Sequence, residues 1–305
     1  YFYRKTTDML CYVYYLKSYG YDGIYDNVGD MVNKGVELSL SYDAIRTKDL
    51  VWNINLNATH YTNKILSLNP DNVSSMLDGH GGYVSNFYFY GEGLPMYTWR
   101  MPKYAGVAED GQSMWYVTDE QGNTTTTTTY NDATDYNCGN PTPDIYGGFG
   151  TSVNFKGFDL AFNFSYSIGG KVLDEGYRNL MASPTSTSLG YNFHKDVLKA
   201  WSEDNTSSNI PRFQFGDDYS NSTSDRFLTN GSWLSLNNIN LGYTFPKVWS
   251  SKLGFSKMRV YASADNVCLW TKRKGLDPRT SSAGSPGTEN YSFTRTISAG
   301  ITLQF

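Results

Sequence analysis

Alternation between bulky apolar and small polar residues recurs along this chain, and no other feature limits its fold as much. The last ten residues, TISAGITLQF, put Ile297, Ala299, Ile301, Leu303 and Phe305 on one parity and Thr296, Ser298, Gly300, Thr302 and Gln304 on the other. A period of two belongs to an extended strand whose faces meet different media. Residues 32–42 repeat the pattern, with Val36, Leu38, Leu40 and Tyr42 opposed by Gly35, Glu37, Ser39 and Ser41. In 50–61, Trp52, Ile54, Leu56 and Ala58 oppose Asn53, Asn55, Asn57 and Thr59. Two more strands flank a KG turn within 146–168, carrying Phe149, Val153 and Phe155, then Phe158, Leu160, Phe162, Phe164, Tyr166 and Ile168. Strands are also predicted at 233–245, with Ile239, Leu241, Tyr243 and Phe245 outward, and at 257–269, with Val260, Ala262 and Ala264 outward. Leu234 and Leu236 fall on the polar parity and Asn266 on the apolar one, which a bulge or a rim position would explain. With a partial strand at Tyr1, the prediction is eight strands.

The polar parity decides which apolar medium the other face meets. A soluble sandwich would set Lys and Glu opposite its core, whereas here the second face is Asn, Ser, Thr and Gly, strand after strand. That composition suits a barrel lumen, with lipid outside. Mean hydropathy is -0.48 because loops and lumen outweigh the lipid-facing half of each strand. The abundance of Tyr (26), Phe (16) and Gly (29) favours an all-β chain. A net charge of -4 gives no electrostatic support to a nucleic-acid partner, and no apolar run is long enough for a membrane-spanning helix.

Connection lengths alternate too: short at 46–49, 156–157 and 246–256, long at 7–31, 64–142, 171–230 and 271–289. This is the asymmetry of an outer-membrane barrel, with short periplasmic turns and long extracellular loops. Tyr42, Trp52, Phe245, Trp270 and Phe305 stand where interfacial girdles belong. Arg295 shares the lipid-facing parity at the outer end of its strand, where it can snorkel. The expected fold is therefore a transmembrane antiparallel β-barrel in the outer membrane of a Gram-negative bacterium. Eight strands with a Gly/Ser/Asn lumen and loops this long suit the C-terminal part of a larger barrel better than a small closed one. The opening YFYRKT, which reads as mid-strand, is expected of a fragment.

Six ordered blocks make the reading specific: NVGDMVNKGVELSLSY (27–42), PTPDIYGGFGTSVNFKGFDLAFNFSYSIGGK (141–171), WSEDNTSSNIPRF (201–213), FLTNGSWLSLNNINLGYTFPK (227–247), MRVYASADNVCLWTKRKGLDPR (258–279) and the terminal SAGITLQF. Together they resemble the C-terminal barrel half of SusC/RagA-type TonB-dependent transporters, over nearly the whole chain. The family tends to carry Tyr and Arg where this chain has Trp233 and Ser235. The resemblance implies a barrel of about twenty-two strands closed by a plug, a SusD-like surface lipoprotein as lid, and TonB-driven import of glycans or peptides. Residues 1–305 would then be wall and loops, without the plug region through which the TonB complex acts. Phe305 resembles the terminal aromatic that the barrel assembly machinery is thought to read. A non-transporting barrel serving as adhesin or surface receptor uses the same strands and is the alternative; a secreted carbohydrate-binding sandwich is a weaker one.

No chemistry of an enzyme, cofactor or metal is evident. His60, His80 and His194 lack ligand spacing, and no nucleophile elbow, Walker or Rossmann fingerprint is present. Cys11 and Cys138 fall in predicted loops, where a disulfide could form, against a simpler role as small loop or buried residues. Lys272, Arg273 and Lys274 read as a solvated patch, with lipopolysaccharide phosphate as a lesser partner. The candidates for ligand or partner contact are aromatic: Tyr88, Tyr90, Trp99, Trp115 and Tyr116 in one long loop, and Trp201 in a short helix, HKDVLKAW. Flat rings suit sugars and lid proteins alike, and they equally suit packing of the loop on itself, including a hairpin turning at Asp110-Gly111. The TTTTTT run (124–129) is expected at a mobile loop tip.

Overall fold

The computed structural model describes residues 1–14, 18, 20–186, 190–217, 219–287 and 291–305, with the side chains of Cys11, Val13 and Tyr14 outside that description. The first hairpins are β1 (Phe2–Tyr14), β2 (Gly23–Arg46) and β3 (Leu50–Leu68). Eight short strands follow in the long loop: β4 (Ser75–Leu77), β5 (His80–Ser85), β6 (Tyr88–Gly91), β7 (Thr98–Pro102), β8 (Tyr104–Val107), β9 (Ser113–Thr118), β10 (Thr124–Thr127) and β11 (Asp135–Asn137). Then come β12 (Ile145–Phe155), β13 (Phe158–Ile168), β14 (Lys171–Leu173), helix α1 (Glu175–Leu180), β15 (Leu228–Asn230), β16 (Trp233–Thr244), helix α2 (Lys247–Lys252), β17 (Lys257–Thr271) and β18 (Thr296–Gln304).

The eight predicted strands form one antiparallel sheet in the order β1-β2-β3-β12-β13-β16-β17-β18. Each lies beside its sequence neighbour because hairpins return the chain to its own edge. One register row runs Trp52, Val153, Leu160, Leu241, Ala262, Ala299 on the apolar face. A row on the other face runs Ser41, Asn55, Gly150, Asn163, Asn238, Asp265, Thr296. The apolar side chains are bare: Val36, Leu38 and Leu40 are 54%, 46% and 54% exposed, and Ile297 and Ile301 are 76% and 68% exposed. An apolar band that runs from β2 across to β18 calls for an apolar surrounding phase.

The polar face is tied by its own hydrogen bonds. Asn238 donates to Asp265, Asn240 to Asn238, and Asn53 to Ser41 and Asp43. Arg259 reaches across β16 to Asp159 with contacts of 3.2 and 2.5 Å. Gly242 lies between them, and a Cβ there would meet both charged groups.

The parity misfits are bulges. On β16 Asn237 is the extra residue between the pairs Asn163↔Asn238 and Phe164↔Leu236, so Leu234 and Leu236 return to the apolar face. On β17 Asn266 and Val267 lie outside the ladder, Asn266 takes φ 50°, and its amide donates to Thr294 O.

Four expectations need correction. The loop over 7–31 is mostly strand, because β1 and β2 keep pairing up to Tyr14↔Gly23 past an irregularity around Asp8. Cys11 thus lies in β1, and Cys138 is a free, buried thiol; the side chain of Cys11 lies outside the described residues. The threonine run supplies β10, which pairs with β9, since β-branched side chains suit a strand. Arg273 is not a solvated charge: it pairs with Asp174 at 2.8 Å and lies 3.8 Å over the ring of Tyr177.

The largest buried side chains, Trp99, Trp115, Phe89, Phe227 and Ile65, lie outside the alternating rows. The core sits where the long-loop ends of β2 and β3, through Val28, Ile65 and Leu68, meet the packed loops. At the opposite end the connections are short, at 47–49, 156–157 and 245–256.

Candidate functional site

The long loops build one assembly over that end of the wall. A five-stranded sheet, β11-β7-β6-β5-β4, and a three-stranded sheet, β10-β9-β8, come from the loop after β3, and β14 pairs with β15 in the next. The turn at Asp110-Gly111 closes the β8-β9 hairpin, with Gly111 at φ 86°.

Trp99 joins three loops. Its indole N–H donates to Lys171 O at 3.1 Å, and its backbone exchanges hydrogen bonds with Gly139 and Cys138. A Cβ on Gly284 would sit 3.1 Å from its ring. Tyr88 packs 4.6 Å from Trp99, centroid to centroid, and donates its hydroxyl to Ala283 O. Tyr90 stacks on Tyr83 at 4.9 Å. Burial pushes the Tyr88 phenol above its ordinary range and the Tyr104 phenol up to about 12. Trp115 forms a second cluster, edge-on to Tyr130 and Tyr219 at 5.2 and 6.1 Å.

Tyr88, Tyr90, Trp99 and Trp115 are therefore interior residues of the loop assembly, at most 8% exposed. Tyr116, on the opposite face of β9 from Trp115, is 38% exposed. Trp201 is half-buried, just beyond a single 3-10 turn (Lys195–Lys199) in place of the expected helix, and packs on Gly111. The six positions do not converge on one surface.

Sequence reasoning passed over the exposed apolar residues of the third loop: Tyr191 (69%), Leu198 (88%), Phe213 (40%) and Phe215 (60%). Phe193 and Phe213 meet edge to face at 5.0 Å. The signal was RFQF just after the WSEDNTSSNIP stretch, where alternation without a partner strand marks side chains left at the surface.

The three histidines are engaged locally. His60 donates toward Asp144 O, His80 toward Glu92 O, and His194 accepts from Asp196 N. Among the described residues no group of three or more His, Cys, Asp or Glu could hold a metal ion.

A sheet with one apolar and one polar face, short turns at one end and packed loops at the other has the architecture of an outer-membrane β-barrel wall. No family model matches the chain. The TonB-dependent receptor SusC of Bacteroides thetaiotaomicron is 27% identical over all of this chain and 29% of its own length. TonB-dependent receptor P3 of Formosa agariphila is 26% identical over 92% of this chain and 29% of its own. Among solved structures, the RagAB peptide importer in its closed-closed state matches with a TM-score of 0.82 at 30% identity, over 99% of this chain and 33% of the other. Its open-open state matches with a TM-score of 0.76 at 28% identity. The chain is similar in sequence and fold to TonB-dependent receptors of SusC/RagA type, and it spans about a third of the length of the relatives it matches.

Proposed function

We propose that the chain forms wall and extracellular loops of an outer-membrane importer that takes up glycans or peptides, powered by TonB and covered by a SusD-like lipoprotein. The observation that carries this reading is the match to SusC and to RagAB in sequence and fold along the whole chain, bulged wall and loops together. The energy-coupling contacts belong to the plug region, outside these residues. The exposed apolar surface of the third loop, Tyr191, Leu198, Phe213 and Phe215, is the face assigned to the lid, with Tyr116 and Trp201 as accessible rings for ligand or partner. Aromatic residues at such a surface supply large contact area at low entropic cost.

The test uses the full-length receptor. It should co-purify with a surface lipoprotein, and cells should accumulate a glycan or peptide only when TonB is intact. Purification alone, with no TonB-dependent uptake, would overturn the importer reading in favour of a display barrel. Leu198→Asp with Phe215→Asp should release the lipoprotein without altering insertion.

A further inference from the structure

The wall carries a feature that import does not use. The apolar face of the β2-β3 hairpin holds the pairs Tyr42↔Ile54, Leu40↔Leu56, Leu38↔Ala58 and Val36↔His60 without a register break. The same face continues toward the loops as Lys34↔Thr62 and Val32↔Lys64, with Tyr3 and Lys5 of β1 opposite Lys34 and Val32. The face thus changes from aliphatic to cationic within two residues.

Lys34 and Lys64 are diagonal neighbours across the pair, close enough for both ammonium groups to reach one anion. Both are exposed, and among the described residues neither has an ion-pair partner. Lys5, beside them, is already neutralised by Asp30 at 2.8 Å. A groove of about 580 Å³ opens here, lined on the wall side by Tyr3, Val32, Lys34, His60, Thr62 and Lys64. Its far side is formed by Gly93, Pro95, Asn140 and residues 142–144, a segment that His60 holds by donating to the backbone carbonyl of Asp144. Among the described residues Asp144 is the only acidic one lining the groove, and its carboxylate lies beside Gly169.

Height fixes what the groove can meet. Lys34 stands eight residues along β2 from the girdle residue Tyr42, about 27 Å along the strand and roughly 20 Å along the membrane normal at the usual tilt. The apolar band of such a wall is about 25 Å tall, and the lysine stem carries its ammonium the remaining few ångström. The two free cations therefore lie at the headgroup level of the outer leaflet, directly above the rows that would hold acyl chains.

We infer that this groove is a binding site for the phosphate-bearing headgroup of an outer-leaflet lipid, with Lys34 and Lys64 as the phosphate ligands and Val36, Leu38 and Leu40 beneath the acyl chains. A bulk anionic surface would be met by cations spread around the wall. Here two cations share one walled groove, continuous with the apolar rows, which suits a single resident lipid. The inference rests on the reading of the sheet as a membrane wall.

The experiment is native mass spectrometry of the full-length receptor with diphosphoryl lipid A, and with the same lipid stripped of its phosphates. The wild type should retain the phosphorylated lipid, and Lys34→Gln with Lys64→Gln should weaken retention about thirtyfold, the effect of removing two lysines from an anionic headgroup. Lys257→Gln, a single charge removed at the other end of the wall, should leave it unaltered. Undiminished retention by the double variant, or an equal loss in Lys257→Gln, would overturn the site. If the double variant fails to insert, the wild type decides alone, because equal retention of the dephosphorylated lipid also overturns it. A receptor that enters no bilayer at all would instead sink the membrane wall and the site with it.

Discussion

Cys138 shows how far a residue's chemistry follows from its surroundings. Its thiol is 4% exposed, within 3.6 Å of Met101 O, and its own carbonyl accepts from Lys171 Nζ at 2.7 Å. Burial pushes the thiol from its ordinary value of 9.0 up to about 12. The reactive form is the thiolate, so iodoacetamide at pH 8 should leave Cys138 unmodified in the folded receptor and label it after denaturation. Labelling of the folded form, read by peptide mass, would refute its burial. The same shift has a consequence for stability. A raised folded-state value means that the contribution is complete below about pH 9 and lost as pH rises toward 12, so the loops should loosen in alkali. Asp174 has two duties. One oxygen caps α1 by accepting from Tyr177 N at 2.9 Å, and the other holds Arg273. Asp174→Asn keeps the cap and removes the charge, whereas Asp174→Ala removes both. A cap contributes about 1 kcal/mol, and the ion pair about 1 kcal/mol once the partial exposure of Arg273 is allowed for. Thermal unfolding followed by tryptophan fluorescence should therefore rank wild type above Asn above Ala, and equality of Asn with wild type would leave the pair without effect.

At the scale of elements, the strands were legible where lipid and lumen impose opposite demands on alternate residues. The rows through Leu56, Phe162 and Ile301 could be placed from the sequence for that reason. The alternation fades toward the loop ends of β1 and β2, where water or packed loops surround both faces, so that part of the hairpin carries no strand signal in the sequence. The short strands β6 and β7 gave no period either, because both of their faces are largely buried. The bulge at Asn237 was visible only as a broken parity, and its physical role is now clear. It keeps Leu234 and Leu236 on the lipid side as the strand approaches the rim. Deletion of Asn237 should drive those leucines toward the polar face and reduce insertion, measured as the fraction of receptor running in the heat-modifiable folded form on gels. Normal insertion would mean that the ladder absorbs the loss. Phe305 packs edge-on to Phe255 at 5.2 Å and is otherwise bare, 91% exposed. If the assembly machinery engages that ring, Phe305→Ser should lower outer-membrane insertion while leaving synthesis intact, and unchanged insertion would remove Phe305 from that role.

The molecule as a whole is held together by two different solvents. The wall turns its apolar residues outward and satisfies its backbone in the ladder, so it depends on lipid to exclude water from that face. The loop assembly buries Trp99, Phe89 and Phe227 inward and depends on water to drive them together. This division explains why the aromatic candidates were found in the sequence but their orientation was not. An aromatic-rich loop has the same composition whether its rings bind a ligand or build a core, and the distinction is made by contacts between loops far apart in the chain, such as Trp99 to Lys171 and Tyr88 to Ala283. It also yields a prediction on the largest scale. Trp99→Ala removes the ring that three loops share and should destabilise the loop assembly by about 3–5 kcal/mol, the usual cost of emptying a large aromatic site. None of those contacts is a wall contact, so the folded barrel should persist. Limited proteolysis of the full-length variant should cut within 69–144 at concentrations the wild type resists, while its heat-modifiable gel shift stays at the wild-type temperature. A parallel fall in both would show that loops and wall unfold as one unit, and lipid would then be stabilising the extracellular core through the strands that enter it, β2 and β3.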